Sequence, residues 1–281
     1  MTSVERVITY ANLEEEPGYD CDQQLQDNWP EQGRVQVKNL DLVYYEGGPD
    51  ILKDVNFSVD SQEKIGIVGR TGAGKSSLVS ALFRMPQPTG KVIIDDVDIG
   101  KINIQSARRA MSAITQNPIL FTGSLRMNLD PFEKYADQEL WGALEEASLK
   151  TMVENLSNQL SEEIKECGAN FSVGERQLLC LARALLRRSK IIIMDEATAN
   201  VDYKTDQLIQ ETIRTKFKHC TVITIAHRLN TIIDYDRVLV LENGQVVEYD
   251  KPEILLQNEG GQFSRLYHGY GNSSNDSVEQ L

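Results

Sequence analysis

A glycine-rich loop constrains the fold of this chain more than any other feature. Residues 69–77 read GRTGAGKSS and directly follow the apolar run IGIV, and SSLVSALF predicts a helix that starts at Lys75. The pattern G-x-x-x-x-G-K-[ST] lets backbone N–H groups curl around phosphates at a helix N-terminus. Lys75 would neutralise the β and γ phosphates, and Ser76 would hold Mg²⁺. The residues expected to bind the nucleotide in this loop are Gly69, Arg70, Thr71, Gly72, Ala73, Gly74, Lys75, Ser76 and Ser77.

A second chemical feature is the run IIIMDE, in which four apolar residues lead to two carboxylates. Such a run predicts a buried strand that delivers Asp195 and Glu196 to its C-terminal end, where ligands of α/β sheets bind. Asp195 would bind Mg²⁺. Glu196, one residue beyond the metal ligand, could deprotonate a water for attack on the γ-phosphate.

The rest of the chain gives the pattern of an α/β protein. The runs KIIIMD and TVITIA are short and β-branched, as buried parallel strands are. Between the glycine loop and these strands, ELWGALEEASLKTMVENL and SVGERQLLCLARALLRRS carry apolar residues at a spacing of three to four, which predicts a helical insert. RVLVLENGQVVEYD predicts a hairpin that turns at Asn243-Gly244, and KPEILLQN a short helix.

Composition narrows the possible partners. Lys and Arg total 29 against 42 Asp and Glu, so the net charge is 29 − 42 = −13 and the pI is about 4.8. Nucleic acid and anionic bilayers would be repelled overall, although a local basic patch stays open. No apolar run approaches the roughly 18 residues of a membrane helix. The four cysteines have no metal-ligand spacing and are expected to be reduced thiols.

The segment NFSVGERQLLCLARALL, at 170–186, resembles the signature region of the ATP-binding cassette (ABC) proteins. The signature itself would be Phe171, Ser172, Val173, Gly174 and Glu175, where a hydroxyl, a glycine and a helix N-terminus present donors to an anion. In this family that anion is the γ-phosphate held by a second cassette. The resemblance therefore implies that one chain owns half of each working site.

Four further residues resemble family motifs in family order. Gln116, in ITQNPILF, resembles the Q-loop glutamine that contacts Mg²⁺ and the attacking water and couples to the membrane part. His227 resembles the switch histidine that bonds the γ-phosphate, and Asp202 the D-loop aspartate that bridges two cassettes. Tyr44 would stack on adenine. Each residue alone has an ordinary alternative as a core or solvated side chain, but their joint order favours the family.

The resemblance covers about residues 34–262 and is closest to the C-terminal nucleotide-binding domain of the C subfamily, the multidrug-resistance-associated proteins. It implies a P-loop NTPase (RecA-like) mixed-sheet core, an antiparallel β subdomain and an inserted α-helical signature subdomain at about 117–188. Residues 1–33 resemble the connector that follows the last membrane helix, which suggests that the chain is a fragment. We expect residues 263–281 to form a flexible tail because they are polar.

The function implied is that of an ATPase that drives an exporter, with ATP and Mg²⁺ as cofactors. The implied partners are a second nucleotide-binding domain, as a heterologous cassette or a second copy, and transmembrane domains reached through the Q-loop region. Such a domain would lie at the cytoplasmic face of a membrane, with the plasma membrane expected, or in the cytosol as a fragment. No nucleic-acid partner is expected.

One departure concerns Glu175, which stands where the subfamily has glutamine. A carboxylate beside a triphosphate should weaken ATP binding unless a cation or Arg176 compensates. Three alternatives to an exporter motor stay open: a regulatory cassette of a channel-associated protein, a soluble ABC ATPase without a transport role, and an inert fragment that binds ATP without cycling.

Overall fold

The computed structural model describes residues 3–13, 15–21, 23, 25–26, 28–195, 201–226 and 228–275. The strands are β1 Val35–Leu42, β2 Leu52–Val59, β3 Lys64–Val68, β4 Thr89–Ile94, β5 Val97–Asp98, β6 Met111–Ile114, β7 Gly123–Ser124, β8 Glu163–Ile164, β9 Ile191–Asp195, β10 Thr221–Ile225, β11 Arg237–Glu242 and β12 Gln245–Asp250. The helices are α1 Ser3–Ala11, α2 Lys75–Leu82, α3 Ile104–Arg109, α4 Leu125–Leu129, α5 Asp137–Glu146, α6 Lys150–Glu154, α7 Val173–Arg187, α8 Tyr203–Thr215, α9 Pro252–Gln257 and α10 Gln262–Asn275. Short 3₁₀ turns lie at Ile99–Lys101, Gln159–Ser161, Glu166–Gly168 and Leu229–Thr231.

A six-stranded mixed sheet forms the centre of the fold. Its order is β12-β11-β3-β10-β9-β6, and every neighbouring pair is parallel except β11 with β12. All five residues of β10 and the first four of β9 are buried, as expected of parallel strands covered on both faces. The parallel arrangement brings the C-terminal ends of β3, β10, β9 and β6 to one edge of the sheet.

A four-stranded antiparallel sheet, in the order β2-β1-β4-β5, packs against this core. In β2, buried residues alternate with exposed ones along most of the strand, which is the pattern of a sheet with one solvated face. Apolar residues from both sheets share one buried cluster. The mixed sheet and the antiparallel subdomain both agree with the predicted architecture.

The helical insert consists of α4, α5, α6 and α7, which share a second buried cluster. The run ELWGALEEASLKTMVENL, predicted to be helical, forms the two helices α5 and α6. The chain changes direction between them, where Ser148 adopts a left-handed conformation with φ +59°. Helix α7 packs against both α5 and the sheet strand β6, so that it joins the insert to the core.

The segment ahead of β1 contacts the rest of the domain closely, although its sequence resembles a connector. The described residues between Glu16 and Arg34 contact the antiparallel sheet, the chain just after α2, and α3. The Glu16 carboxylate pairs with the Arg108 guanidinium, and this hydrogen bond lowers the pKa of Glu16. The buried Arg84 donates from Nη2 to the Pro17 carbonyl at 2.7 Å. Expected to be a connector, this stretch is thus held in place by side chains far along the chain.

The C-terminal part also differs from the expectation of a flexible tail from residue 263. Gln262–Asn275 is the helix α10, and the Phe263 side chain has no exposed area. Glu248 accepts the backbone N–H groups of Gln262 and Phe263 at 2.8 and 2.9 Å, which satisfies two donors at the helix start. Phe263, Leu266 and Tyr267 supply the apolar side chains that pack the helix on the core.

The structure also bears on membrane crossing and on the state of the cysteines. Among the described residues, no helix has both the length and the apolar character needed to cross a bilayer. The thiols of Cys21, Cys167, Cys180 and Cys220 are free.

Candidate functional site

The glycine loop connects β3 to α2 at the edge where the parallel strands end. Gly74 is the N-cap of α2 and adopts φ +103°, a left-handed conformation that favours glycine. A Cβ at Gly69 would lie 2.3 Å from the Leu241 carbonyl oxygen, so no larger residue fits between the loop and β11. The Gly244 N–H, in the turn after β11, donates to the Ala73 carbonyl at 3.0 Å. The β11–β12 hairpin therefore packs against the glycine loop and holds it in place.

Lys75 lies beneath the loop rather than in solvent. Its side chain is buried, and Nζ donates to the carbonyl oxygens of Gly69 at 2.8 Å and Arg70 at 3.1 Å. A cavity of about 250 Å³ lies beside residues 69–73 and is lined on its other side by Gln262 and Leu266 of α10. Residues 240–243 also line it, so the cavity lies between the glycine loop, the β11–β12 hairpin and α10.

Tyr44 lies next to the loop, as its predicted role requires. Its hydroxyl donates to the Ser77 Oγ at 3.0 Å, and about half of the side chain is exposed. The adjacent Tyr45 is more exposed, at 67%. An exposed aromatic ring beside the phosphate-binding loop can stack on a base, so stacking of Tyr44 on adenine stays a prediction.

Asp195 and Gln116, two of the predicted metal ligands, lie near the same sheet edge. Ile225 of β10 pairs with both Ile67 of β3 and Asp195 of β9, and Met194 pairs with Ile114 of β6. Asp195 therefore lies level with the start of the glycine loop, and the chain leaves β6 beside it.

The predicted metal ligands fit Mg²⁺ in their chemistry. Ser76 offers an exposed hydroxyl at the start of α2, Asp195 a partly buried carboxylate, and Gln116 a half-buried carboxamide two residues after β6. Hard oxygen donors of these kinds suit Mg²⁺. Mg²⁺ binding by these three residues stays a prediction.

Two predicted catalytic residues, Glu196 and His227, lie outside the described residues. Glu196 follows Asp195 in the sequence, and His227 follows Ala226, whose N–H donates to the Ile67 carbonyl at 3.1 Å. Asp195 and Ala226, the described residues that precede them, both lie at the sheet edge that carries the glycine loop.

The signature residues form the start of α7. Ser172 is exposed and is the N-cap: its Oγ accepts the Glu175 N–H at 3.2 Å, and the Glu175 carboxylate accepts the Ser172 N–H at 2.7 Å. This is a capping box, for which S-x-x-E is the sequence signal. Glu175 therefore has a structural role in the free chain that its resemblance to the family did not indicate.

Arg176 does not neutralise Glu175 in the way the sequence suggested. Its Nη1 donates to the Cys167 carbonyl at 3.0 Å. Within the part of the chain that the structure describes, no ion pair joins Glu175 to Arg176. The Glu175 carboxylate lies in the first turn of α7, where the partial positive charge of the helix N-terminus offsets part of its negative charge.

Asp202 lies close to the signature within the same chain. It caps α8, accepting the Thr205 N–H at 3.0 Å and the Thr205 hydroxyl at 2.7 Å; the hydroxyl bond in particular lowers the pKa of Asp202. Thr205 in turn abuts the signature, since a Cβ at Gly174 would lie 2.9 Å from its Oγ1. A bridge from Asp202 to a second cassette stays a prediction.

An ion pair between α8 and Arg228 had no signal in the sequence. Arg228 donates from Nη1 to the buried Asp206 Oδ2 at 3.0 Å, while Asp206 Oδ1 is buried and has no hydrogen-bond partner within the described part of the chain. The two residues are far apart in the sequence, so no fixed spacing could have revealed the contact.

Comparison with known proteins places these features in context. The family described as ABC transporter matches residues 52–199. Human ATP-binding cassette sub-family C member 4 is 52% identical over 271 residues, which cover 96% of this chain and 20% of that protein. Human ATP-binding cassette sub-family C member 2 is 51% identical over 261 residues, which cover 92% of this chain and 17% of that protein. The probable multidrug resistance-associated protein lethal(2)03659 of Drosophila melanogaster is 49% identical over 286 residues, which cover 100% of this chain and 21% of that protein.

A solved structure agrees with these sequence matches. The structure of a bacterial Atm1-family ABC exporter with ATP bound superposes with a TM-score of 0.86 at 30% identity, over 95% of this chain and 46% of that one. The chain spans about a fifth of the length of the curated relatives.

Proposed function

This chain belongs to the ABC transporter family, and from that premise we propose that it is the ATP-hydrolysing motor domain of an exporter of the multidrug-resistance-associated class. The observation that carries the proposal is the shared sheet edge, where the glycine loop follows β3, Asp195 ends β9 and Gln116 follows β6. Nucleoside triphosphatases of the P-loop type bind nucleotide and metal at such an edge.

Nucleotide binding would use the loop and the ring beside it. Backbone N–H groups of residues 69–77 and the positive end of α2 bind the phosphates, and Lys75 exchanges its two carbonyl acceptors for phosphate oxygens. Tyr44 leaves the Ser77 hydroxyl and stacks on adenine. Ser76, Gln116 and Asp195 would hold Mg²⁺, and the ion would supply positive charge against the β and γ phosphates.

Hydrolysis would be carried by residues that the sequence places next to this edge. Glu196 accepts a proton from water while the water oxygen forms a bond to the γ-phosphorus and the bond from that phosphorus to the ADP oxygen breaks. His227 donates a hydrogen bond to a γ-phosphate oxygen. Gln116 orients the attacking water. These roles rest on the sequence positions and on family membership.

The active unit would contain two cassettes. The exposed Ser172 at the positive end of α7 supports a role in which Ser172, Val173, Gly174 and Glu175 contact ATP bound to the partner cassette. Asp202 would bridge the two cassettes. The partner is a heterologous N-terminal cassette or, for isolated chains, a second copy.

Transmembrane domains would be the second partner, and they would dock at the Q-loop region. Ile119 and Phe121 lie there with about 60% of each side chain exposed, which supports an apolar contact surface. The domain would then lie at the cytoplasmic face of a membrane, with the plasma membrane proposed. The names of the relatives, which include a multidrug resistance-associated protein, support an exporter over a channel regulator or a soluble ATPase.

The test is the MgATPase rate per mole of purified chain over a wide range of protein concentration. We expect the specific rate to climb with concentration, because two copies would complete each other's sites. The Glu196→Gln variant should bind ATP and not turn it over. A near-zero rate at every concentration with normal ATP binding would make the heterologous cassette obligatory. A substantial rate that does not depend on concentration would contradict the shared site.

A further inference from the structure

Helix α7 carries the signature at its N-terminus, and its body contacts the segment that contains Gln116. This segment, residues 115–121, leaves β6 and runs to α4. Two polar side chains of α7 make hydrogen bonds to the backbone of this segment: Gln177, which is buried, and Arg183, which is partly buried. Helix α7 therefore links the signature, which would contact ATP bound to the partner cassette, to Gln116, which would act at the nucleotide bound to this chain.

Gln177 holds the beginning of the segment. Its side chain is 1% exposed, and Nε2 donates to the Thr115 carbonyl at 3.1 Å. The Thr115 hydroxyl donates to the Asn117 carbonyl at 2.9 Å, which closes a turn around Gln116. The bond from Gln177 is thus made to the peptide unit that joins Thr115 to Gln116.

Arg183 holds the other end. Its Nη1 donates to the Ile119 carbonyl at 2.7 Å, and Nε and Nη2 donate to the main-chain and side-chain oxygens of Asn128 at 2.7 and 2.9 Å. Asn128 exchanges two hydrogen bonds with the backbone of Phe121. Gln116 therefore lies between two points that are both fixed to the same helix.

The hydrogen bonding of Gln177 is incomplete. Its Oε1 is buried and has no hydrogen-bond partner among the described residues. A buried acceptor without a partner is costly, and such a group in a native protein calls for a structural or functional explanation. This oxygen lies on the side chain that joins α7 to the peptide of Gln116.

We propose that Gln177 is a positioning residue. It orients the Gln116 carboxamide for Mg²⁺ binding and couples that orientation to the position of α7, the helix that starts with the signature. The inference rests on the proposed nucleotide function. Gln177 itself does not touch the metal or the nucleotide; its bond to the Thr115 carbonyl fixes the backbone from which Gln116 extends. Movement of α7 would then change the Mg²⁺ site of the same chain.

The test measures Mg²⁺ affinity at equilibrium; every protein compared, including the one called wild type, carries Glu196→Gln so that bound ATP is not turned over. ATP binding to the full chain is followed by calorimetry in EDTA and at stepped Mg²⁺ concentrations, and the Mg²⁺ concentration that gives half of the gain in ATP affinity is the readout. Gln177→Met keeps the volume and removes the donor. We expect it to raise that concentration about tenfold, as loss of an outer-shell partner does at metal sites, with ATP affinity in EDTA unchanged.

Two further variants separate positioning from packing. Gln210→Met is the matched control, because Gln210 lies on α8 and also has a buried Oε1 without a partner; it should leave the Mg²⁺ midpoint unchanged. Gln116→Ala should raise the midpoint, and adding Gln177→Met should raise it no further, since Gln177 acts through Gln116.

The outcomes divide clearly. A Gln177→Met midpoint within twofold of the wild type, or effects of the two substitutions that multiply, would overturn the positioning role while leaving the nucleotide function intact. A shift as large in Gln210→Met would also overturn it, because the effect would then be one of general packing. A wild-type chain whose ATP affinity does not respond to Mg²⁺ would overturn the proposed function and this inference together.

Discussion

Replacing Phe263 with alanine should destabilise the whole domain, although the residue lies in the part of the chain expected to be a tail. The side chain has no exposed area and belongs to a cluster with residues of β3, of the segment between β10 and β11, of β11 and of α9. Phenylalanine-to-alanine changes in a core cost about 3–5 kcal/mol, from lost transfer free energy and the cavity left behind. Strands line this site and limit its collapse, so we expect about 4 kcal/mol, a large part of the roughly 5–15 kcal/mol that stabilises a domain.

Urea unfolding followed by circular dichroism measures this loss. With a slope of about 3 kcal/mol per molar urea, 4 kcal/mol lowers the midpoint by about 1.3 M. Phe132→Ala is the matched control, because that ring is 71% exposed, and it should change the free energy of unfolding by less than about 0.5 kcal/mol. If Phe263→Ala loses less than about 1 kcal/mol, helix α10 does not pack on the core and the reasoning fails.

Three other predictions follow from the site and the core. Lys75→Ala should weaken MgATP binding about ten- to a hundredfold through the loss of a charged hydrogen bond, and an unchanged calorimetric dissociation constant would remove Lys75 from phosphate binding. Glu175→Gln should leave Tm unchanged, since a glutamine carbonyl can accept the Ser172 N–H, and should raise turnover of the assembled pair by removing a negative charge near the triphosphate; slower turnover would contradict this. Burial raises the pKa of Tyr235 above its usual 10.0, so the folded state keeps a proton that the unfolded state loses, and the free energy of unfolding should fall as pH rises through that value. Tyr235→Phe should lessen the fall in denaturant titrations between pH 9 and about pH 11, and an identical slope would assign it to other groups.

Features that depend on neighbouring residues in the sequence were predictable. The glycine loop with its flanking strand and helix is found where the pattern placed it, with α2 starting at Lys75. The Asn243-Gly244 turn joins β11 and β12 as expected of an Asn-Gly pair between apolar runs. The capping box of Ser172 and Glu175 also has a local signal, S-x-x-E, although these residues were predicted only to form the family signature.

Features that depend on distant residues could not be predicted. Helix α10 has a polar, glycine-containing sequence, and its start is fixed by Glu248, which lies on β12. The hydrogen bond between Gln177 and Thr115 joins positions 62 apart. No periodicity encodes which backbone carbonyl a buried glutamine will meet. The roles assigned to Glu196 and His227 stay predictions, because neither residue is among those described.

Because Arg84 and Arg108 bind the segment before β1, helix α2 connects that segment to the phosphate-binding loop. One end of this eight-residue helix, about 12 Å long, carries the phosphate-binding loop. The other end leads directly to Arg84, which donates to the Pro17 carbonyl, while Arg108 joins Glu16 to the backbone of Arg84. A displacement of the chain ahead of Glu16 would therefore be transmitted to the nucleotide site through α2, without involving Gln116. Trimming the protein at Arg34 would cut that path and leave a buried guanidinium without one of its acceptors.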